Sequence, residues 1–201
     1  MTNIDEQLKN AIINNDIRFL EINESKYDID HRFIDEDNDT LLLYALSYPG
    51  NDIYTFFLTK GANVNLVNNE GEGAIHSIVY SGKSERLRDL IKKKPQILDS
   101  INLQTNNGTS PLLLSVLLEL YDVFHVLLEM GSNINLSDNE GNTPIHPACF
   151  LGYEPMVRKL VERGANLHVK THKGNYPLAL AINGDHEEIA KYLFKRTYQR
   201  I

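Results

Sequence analysis

Apolar residues recur along this chain in short stripes at helical spacing. Met156, Val157, Leu160 and Val161 form one, and counterparts follow the same pattern at Ile53, Tyr54, Phe57 and Leu58, at Leu87, Leu90 and Ile91, at Val123, Phe124, Leu127 and Leu128, and at Ile189, Leu193 and Phe194. Each reads as the core-facing side of an amphipathic helix. Ahead of the first stripe, Thr143-Pro144 opens an earlier helix, where proline's missing N–H costs nothing. Gly152-Tyr153-Glu154-Pro155 then breaks that helix and starts the next. Gly164 closes the second helix, since glycine is free to take the left-handed conformation, and Ala165-Asn166-Leu167 leads out to a hairpin whose tip is Thr171-His172-Lys173-Gly174. A lone pair of helices cannot bury both apolar faces, so neighbouring pairs must stack.

The position of Thr143 is held elsewhere by Thr40, Gly73, Ser110 and Tyr176, giving spacings of 33, 37, 33 and 33 residues. Thr143-Pro144-Ile145-His146, opened by Asp138-Asn139-Glu140-Gly141 and followed from Gly164 by Gly-Ala-Asn-Leu-His, resembles an ankyrin repeat, whose period is about 33 residues. The resemblance covers nearly the whole chain. It implies an all-α ankyrin-repeat solenoid of stacked helix-turn-helix pairs with hairpin loops, forming a single domain over residues 1–201. About six repeats are expected, at 1–34, 35–67, 68–104, 105–137, 138–170 and 171–201.

The first repeat is degenerate. It lacks the T-P-L-H start but keeps Ile4, Leu8, Ile12, Ile17, Phe19 and Leu20. Lys191, Lys195 and Arg196 suit the last turns of the final helix and are expected to keep that end wet. Both ends therefore read as caps and the chain as complete. Repeat three has Lys94-Pro95 where glycine is expected, and Ile101-Asn102 arrive four residues late, so Lys94 to Ser100 is a lengthened helix end or a bulged loop.

A hydrophobic content of 42% supports an ordered core. No signal peptide or membrane-length apolar run is present, which points to a cytoplasmic protein. The single cysteine, Cys149, rules out an intrachain disulfide and a cysteine-based metal framework. The net charge of −7 is carried by the first 40 residues, with a cluster at Asp28, Asp30, Asp35, Glu36, Asp37 and Asp39, while Lys191, Lys195, Arg196 and Arg200 stand at the other end. This distribution does not resemble a nucleic-acid footprint.

The resemblance gives His76 and His146 a structural role, tying loops of adjacent repeats by hydrogen bonds; Leu113 and Ala179 interrupt that series. His146 and Cys149 stand three apart on a predicted helix, a spacing open to a nucleophile and base, but the ankyrin register places Cys149 in a helix-packing position. His168 and His172 lack further ligands at zinc spacing. Asn65, Asn102 and Asn135 occupy the family's loop asparagine, read as loop geometry from local side-chain bonds. No catalysis, metal or cofactor is expected.

The resemblance implies instead a protein-binding face built from hairpin tips and first helices. The tips are Asp37 and Asp39; Asn69, Glu70 and Glu72; Asn106, Asn107 and Thr109; Asn139, Glu140 and Asn142; His172, Lys173 and Asn175. On the first helices, Tyr48, Tyr80, Leu117 and Phe150 are expected to look into the groove. The expected role is an adaptor, inhibitor or regulatory subunit that binds another protein as a monomer. The alternative is a receptor for a small molecule or peptide, with a pocket near Tyr80 and Phe150.

Overall fold

The computed structural model describes residues 3–35, 37–50 and 52–198. Glu36 of the acidic cluster and Arg200 of the basic end lie outside the described residues. Two compact units divide the chain, one ending at Ser100 and the other beginning at Ile101.

In the first unit, α1 (Ile4–Ile13) and α2 (Ile17–Ile22) form the degenerate pair. Leu8, Ile12 and Leu20 are its buried contribution, while Ile17 stays exposed. A short hairpin follows, β1 (Arg32–Phe33) against β2 (Asp39–Thr40), with Arg32 opposite Thr40 and Phe33 opposite Asp39. Thr40 Oγ1 then accepts the Leu43 N–H (3.2 Å) and caps α3 (Leu41–Ser47). Next come α4 (Tyr54–Thr59), α5 (Ala74–Ser81) and α6 (Ser84–Lys93), with α3 packed on both α4 and α5. The insertion after α6 is a 3₁₀ helix, Pro95–Ser100. It folds back rather than protruding: Ile97 is fully buried and the segment packs on α5 and α6.

One corner of this unit departs from the repeat. Between the two helices of a pair, the chain turns through a left-handed residue, as at Gly82, Glu119, Gly152 and Asp185. Pro49 occupies that position in the second pair, and its ring forbids a positive φ. The chain instead leaves α3 at Tyr48 in an extended conformation. Arg86, at the position filled by Ile53, Val123, Met156 and Ile189 in the other pairs, is buried there. Its Nη1 donates to the carbonyls of Leu46 (3.1 Å) and Tyr48 (2.5 Å), which the missing turn leaves open.

In the second unit, α7 (Pro111–Leu117) and α8 (Tyr121–Glu129) are followed by α9 (Ile145–Leu151), α10 (Glu154–Glu162), α11 (Pro177–Asn183) and α12 (Glu187–Tyr198). α9 packs against both α7 and α11. The expected stripe of α8 is buried at Val123, Phe124, Leu127 and Leu128, and that of α10 at Met156, Val157 and Leu160, with Val161 only half-buried. In α12, Ile189 and Leu193 are buried but Phe194 is 50% exposed, with Ile182 and Tyr198 also in water. The surface expected to be wet through its lysines and arginine thus carries large apolar groups as well.

Gly164 takes φ +88°, and a Cβ built there meets nothing within 4 Å. The cost of Gly164→Val is therefore pure backbone strain, about 1–2 kcal/mol. A lowered urea midpoint at unchanged slope is the expected result.

Candidate functional site

The hairpin tips share one hydrogen-bonding plan. In the second unit, Asp138 N–H donates to the Asn142 carbonyl (3.0 Å) and Gly141 N–H to the Asp138 carbonyl (3.0 Å); Thr171, Gly174 and Asn175 repeat this at 3.0 and 2.8 Å. The same turn forms at Asn68 to Glu72 in the first unit. Glycine is needed at the fourth turn residue, where φ is +79° at Gly141 and +82° at Gly174. Asp138 is consumed within its turn, its Oδ1 accepting the N–H groups of Glu140 (2.9 Å) and Asn142 (2.8 Å).

Within each unit, one main-chain bond stitches a tip to its neighbour. Asn69 N–H donates to the Asp37 carbonyl (2.7 Å), Asn139 to Asn107 (3.0 Å) and His172 to Glu140 (2.8 Å). These bonds hold the tips of each unit in register and so fix the spacing of their side chains. The loop asparagines add a second line of ties. Asn102 Oδ1 accepts the Asn133 N–H (2.7 Å) and Asn135 Oδ1 the Asn166 N–H (2.9 Å), with Asp30 doing the same for Asn63. Their side chains thus bridge successive repeats as well as shaping their own loops.

His146 links the start of its helix to the loop that leaves the same repeat. Its Nδ1 accepts the Thr143 N–H (3.0 Å) and its Nε2–H donates to the Val169 carbonyl (3.3 Å), which is the neutral tautomer. Burial holds its pKa below the usual 6.5, against the opposing influence of these backbone groups. The unfolded chain binds this proton more readily, so the contribution is complete above pH 6.5 and declines as pH falls from there toward the lower folded value. His146→Gln is expected to lose less stability than the wild type between about pH 7.5 and 5.5, read as the change in urea midpoint. Cys149 is a fully buried free thiol whose pKa burial pushes up to about 12, the state of a small packed hydrophobe.

A cleft of ≈ 360 Å³ opens between the tips and first helices of the second unit. Leu113, Leu117, Pro147, Phe150 and Leu180 supply its apolar wall, and Glu140, Asn142, Lys173 and Asn175 its polar rim. Phe150 and Leu117 are 50% and 46% exposed, so both leave apolar surface open to solvent. Lys173 Nζ lies 3.6 Å from Glu140 Oε2, but both side chains are highly exposed and the pair adds little to stability. Asn139 and His172 stand exposed on the same two tips, and Asn106 and Asn107 on the preceding one.

In the first unit, Tyr80 is 48% exposed at the end of α5, and its hydroxyl donates to Glu72 Oε1 (2.5 Å). Its pKa is raised by partial burial, then by that bond and by the charges of Glu72, Asp39 and Glu70. Asn68 Nδ2 links Asp39 (2.9 Å) to Glu72 (3.1 Å), while Asp37, Asn69 and Glu70 are exposed around them. Tyr48 does not share the position of the other groove residues. Tyr80, Leu117 and Phe150 each lie seven residues after their repeat's first position, where the second repeat has Ser47. Tyr48 has left the helix ahead of Pro49 and is half-buried.

Among the described residues, no group of three or more His, Cys, Asp and Glu side chains is placed to hold a metal ion. No helix of the described residues is long and apolar enough to cross a membrane.

Helix pairs joined by tight turns, with tips stitched one to the next, define a helical repeat protein. The family described as Ankyrin repeats (3 copies) matches residues 41–138 and 130–200, and the chain belongs to it. Ankyrin repeats are generally protein–protein interaction modules. The chain is similar to the phosphocholine transferase AnkX of Legionella pneumophila, at 30% identity over 99 residues, covering 48% of this chain and 10% of that protein. It is also similar to a putative ankyrin repeat protein of Acanthamoeba polyphaga mimivirus, at 27% identity over 99 residues, covering 49% of this chain and 12% of the relative. The chain thus spans about a tenth of the length of these curated relatives.

Proposed function

We propose that this protein is a non-catalytic adaptor, inhibitor or regulatory subunit that binds another protein through the tips and first helices of its second unit. The observation that carries the reading is the cleft, where exposed Leu117 and Phe150 stand inside a rim of Glu140, Asn142, Lys173 and Asn175. An apolar anchor surrounded by polar groups is the usual composition of a binding hot spot. The tip-to-tip bonds add rigidity, so little ordering entropy opposes association. In the first unit, the acidic tips around Tyr80 are a candidate surface of their own and favour a basic segment of a partner. A cytoplasmic setting goes with this reading, since the chain's sole cysteine is a buried free thiol.

Removing Phe150 tests the anchor. Because the ring is half exposed, Phe150→Ala is expected to cost no more than about 2 kcal/mol of stability, against the 3–5 of a buried phenylalanine. A protein captured in stoichiometric amount from native-cell lysate by the wild type is expected to be lost from Leu117→Ala/Phe150→Ala with unchanged circular dichroism. Equal recovery by both would remove the cleft from the account. A receptor for a small molecule is the second reading, favoured by a cleft volume within the range of ligand sites. Saturable thermal stabilisation by a metabolite, with no protein captured, would select it.

A further inference from the structure

The hairpin tips at Asn68, Thr105, Asp138 and Thr171 are each closed by the side chain in the same register, and one of these side chains brings a charge that its turn does not need. Asp138 Oδ1 accepts the N–H groups of Glu140 (2.9 Å) and Asn142 (2.8 Å), and Asn68 Oδ1 accepts the matching pair from Glu70 (3.0 Å) and Glu72 (2.9 Å). Thr105 Oγ1 and Thr171 Oγ1 each accept one, from Thr109 (3.2 Å) and Asn175 (3.3 Å). A neutral oxygen therefore suffices to close the tip. Asp35 shares the register and is also an aspartate, but Lys9 Nζ stands 3.0 Å from its Oδ2. Asp138 is half-buried and lines the cleft, yet among the described residues no cation pairs with it. Its Oδ2 meets the Asn142 Nδ2 (3.0 Å), a neutral donor.

The neighbouring rim has the same sense. Glu140 adds a second carboxylate, and Asn142, with its Nδ2 turned to Asp138, keeps its Oδ1 as a further acceptor. Lys173 lies 3.6 Å from Glu140, but that pair is highly exposed and easily exchanged. Beside these acceptors stands the apolar wall of Leu113, Leu117, Pro147, Phe150 and Leu180. A side chain with an apolar stem and a cationic head complements both halves, the stem covering the wall and the head meeting Asp138 and Glu140. Arginine fits best, because its planar head offers five donors to several acceptors and stacks on aromatic rings, here the exposed Phe150. We propose that the cleft of the second unit accepts an arginine side chain presented by a partner protein, with Asp138 as its charge partner. The assignment rests on the partner-binding reading of the same cleft.

The test is an NMR titration of the isotope-labelled full chain with acetyl-Ala-Arg-Ala-amide, alongside the same peptide carrying citrulline, a neutral isostere of arginine, or lysine. A single side chain binds weakly, with Kd of about 1 mM expected, and the shifts should fall at 138–142, at 171–175 and along α7 and α9. The citrulline peptide should bind at least ~10-fold more weakly, the scale of losing hydrogen bonds to a charged group. Lysine, a point charge without the fork, should bind at least ~3-fold more weakly than arginine. Asp138→Asn keeps the turn, as Asn68 does in its own tip, and should weaken arginine binding at least ~5-fold while largely removing the preference over citrulline. Lys173→Ala frees Glu140 and should tighten arginine binding ~2–5-fold. Equal affinity for arginine and citrulline, lysine bound as tightly as arginine, wild-type affinity in Asp138→Asn, or no shifts at these residues up to about 50 mM peptide would each overturn the proposal. Those outcomes leave the cleft open to an uncharged partner segment, whereas protein capture unaffected by Leu117→Ala/Phe150→Ala removes the cleft itself, so the two failures are distinct.

Discussion

Arg86→Ala is expected to destabilise the protein by about 3 kcal/mol, the scale of removing charge-assisted hydrogen bonds from buried carbonyls. The reason lies in Pro49. That residue denies the second pair its left-handed corner, so the carbonyls of Leu46 and Tyr48 end in the interior and the guanidinium satisfies both. Arg86 also lies over the Tyr54 ring at 5.4 Å, and exposed Asp52 stands 3.7 Å from its Nη2. Arg86→Met separates the bonding from the volume, because other pairs hold Ile53, Val123, Met156 or Ile189 at this position. Methionine should restore the packing but leave the carbonyls unpaired, so most of the loss should remain. Urea unfolding checks both, and a methionine variant as stable as the wild type would refute the carbonyl account.

The second large effect is expected from Phe124→Ala, at about 3–5 kcal/mol for a fully buried ring. Phe124 is 0% exposed and shares its register with Tyr54, Leu87 and Val157, all buried. The cavity would lie where α8 meets α7. Because each pair is stabilised by its neighbours, the loss should propagate through the second unit rather than remain in one helix. Amide hydrogen exchange should show faster opening of α7 to α10. An opening confined to α8 would contradict this cooperativity. The contrast with Phe150→Ala separates a ring that packs from one that is available to bind.

Much of this was legible in the sequence because the repeat compares the chain with itself. The stripes at Val123 to Leu128 and Met156 to Leu160 lie where helical spacing puts them, and Gly164 takes its expected left-handed conformation, while the bonds of His146 run to Thr143 and Val169 of its own repeat. What escaped were the places where a local rule yields to a neighbour far along the chain. Arg86 reads as one more charged residue in a polar helix, and only the partner carbonyls, 38 and 40 residues away, explain its burial. Tyr48 looks like a groove residue until Pro49 is seen to end the helix early. Phe194 follows the apolar stripe faithfully, yet it is exposed because no further pair covers it among the described residues. The main-chain bonds between tips have no side-chain signature at all. The cleft residues Leu117, Glu140, Phe150 and Lys173 were each nameable, whereas the inclusion of Leu113, Pro147 and Leu180 depends on how the pairs stack.

The cleft and tips of the second unit carry the functional account, and hydrogen–deuterium exchange on the purified complex with a captured partner tests it most directly. Partner binding is expected to slow exchange at 138–142 and 171–175 and along α7 and α9, leaving α10 and α12 unchanged. Protection confined to α10 and α12, with the tips exchanging as in the free protein, would contradict it.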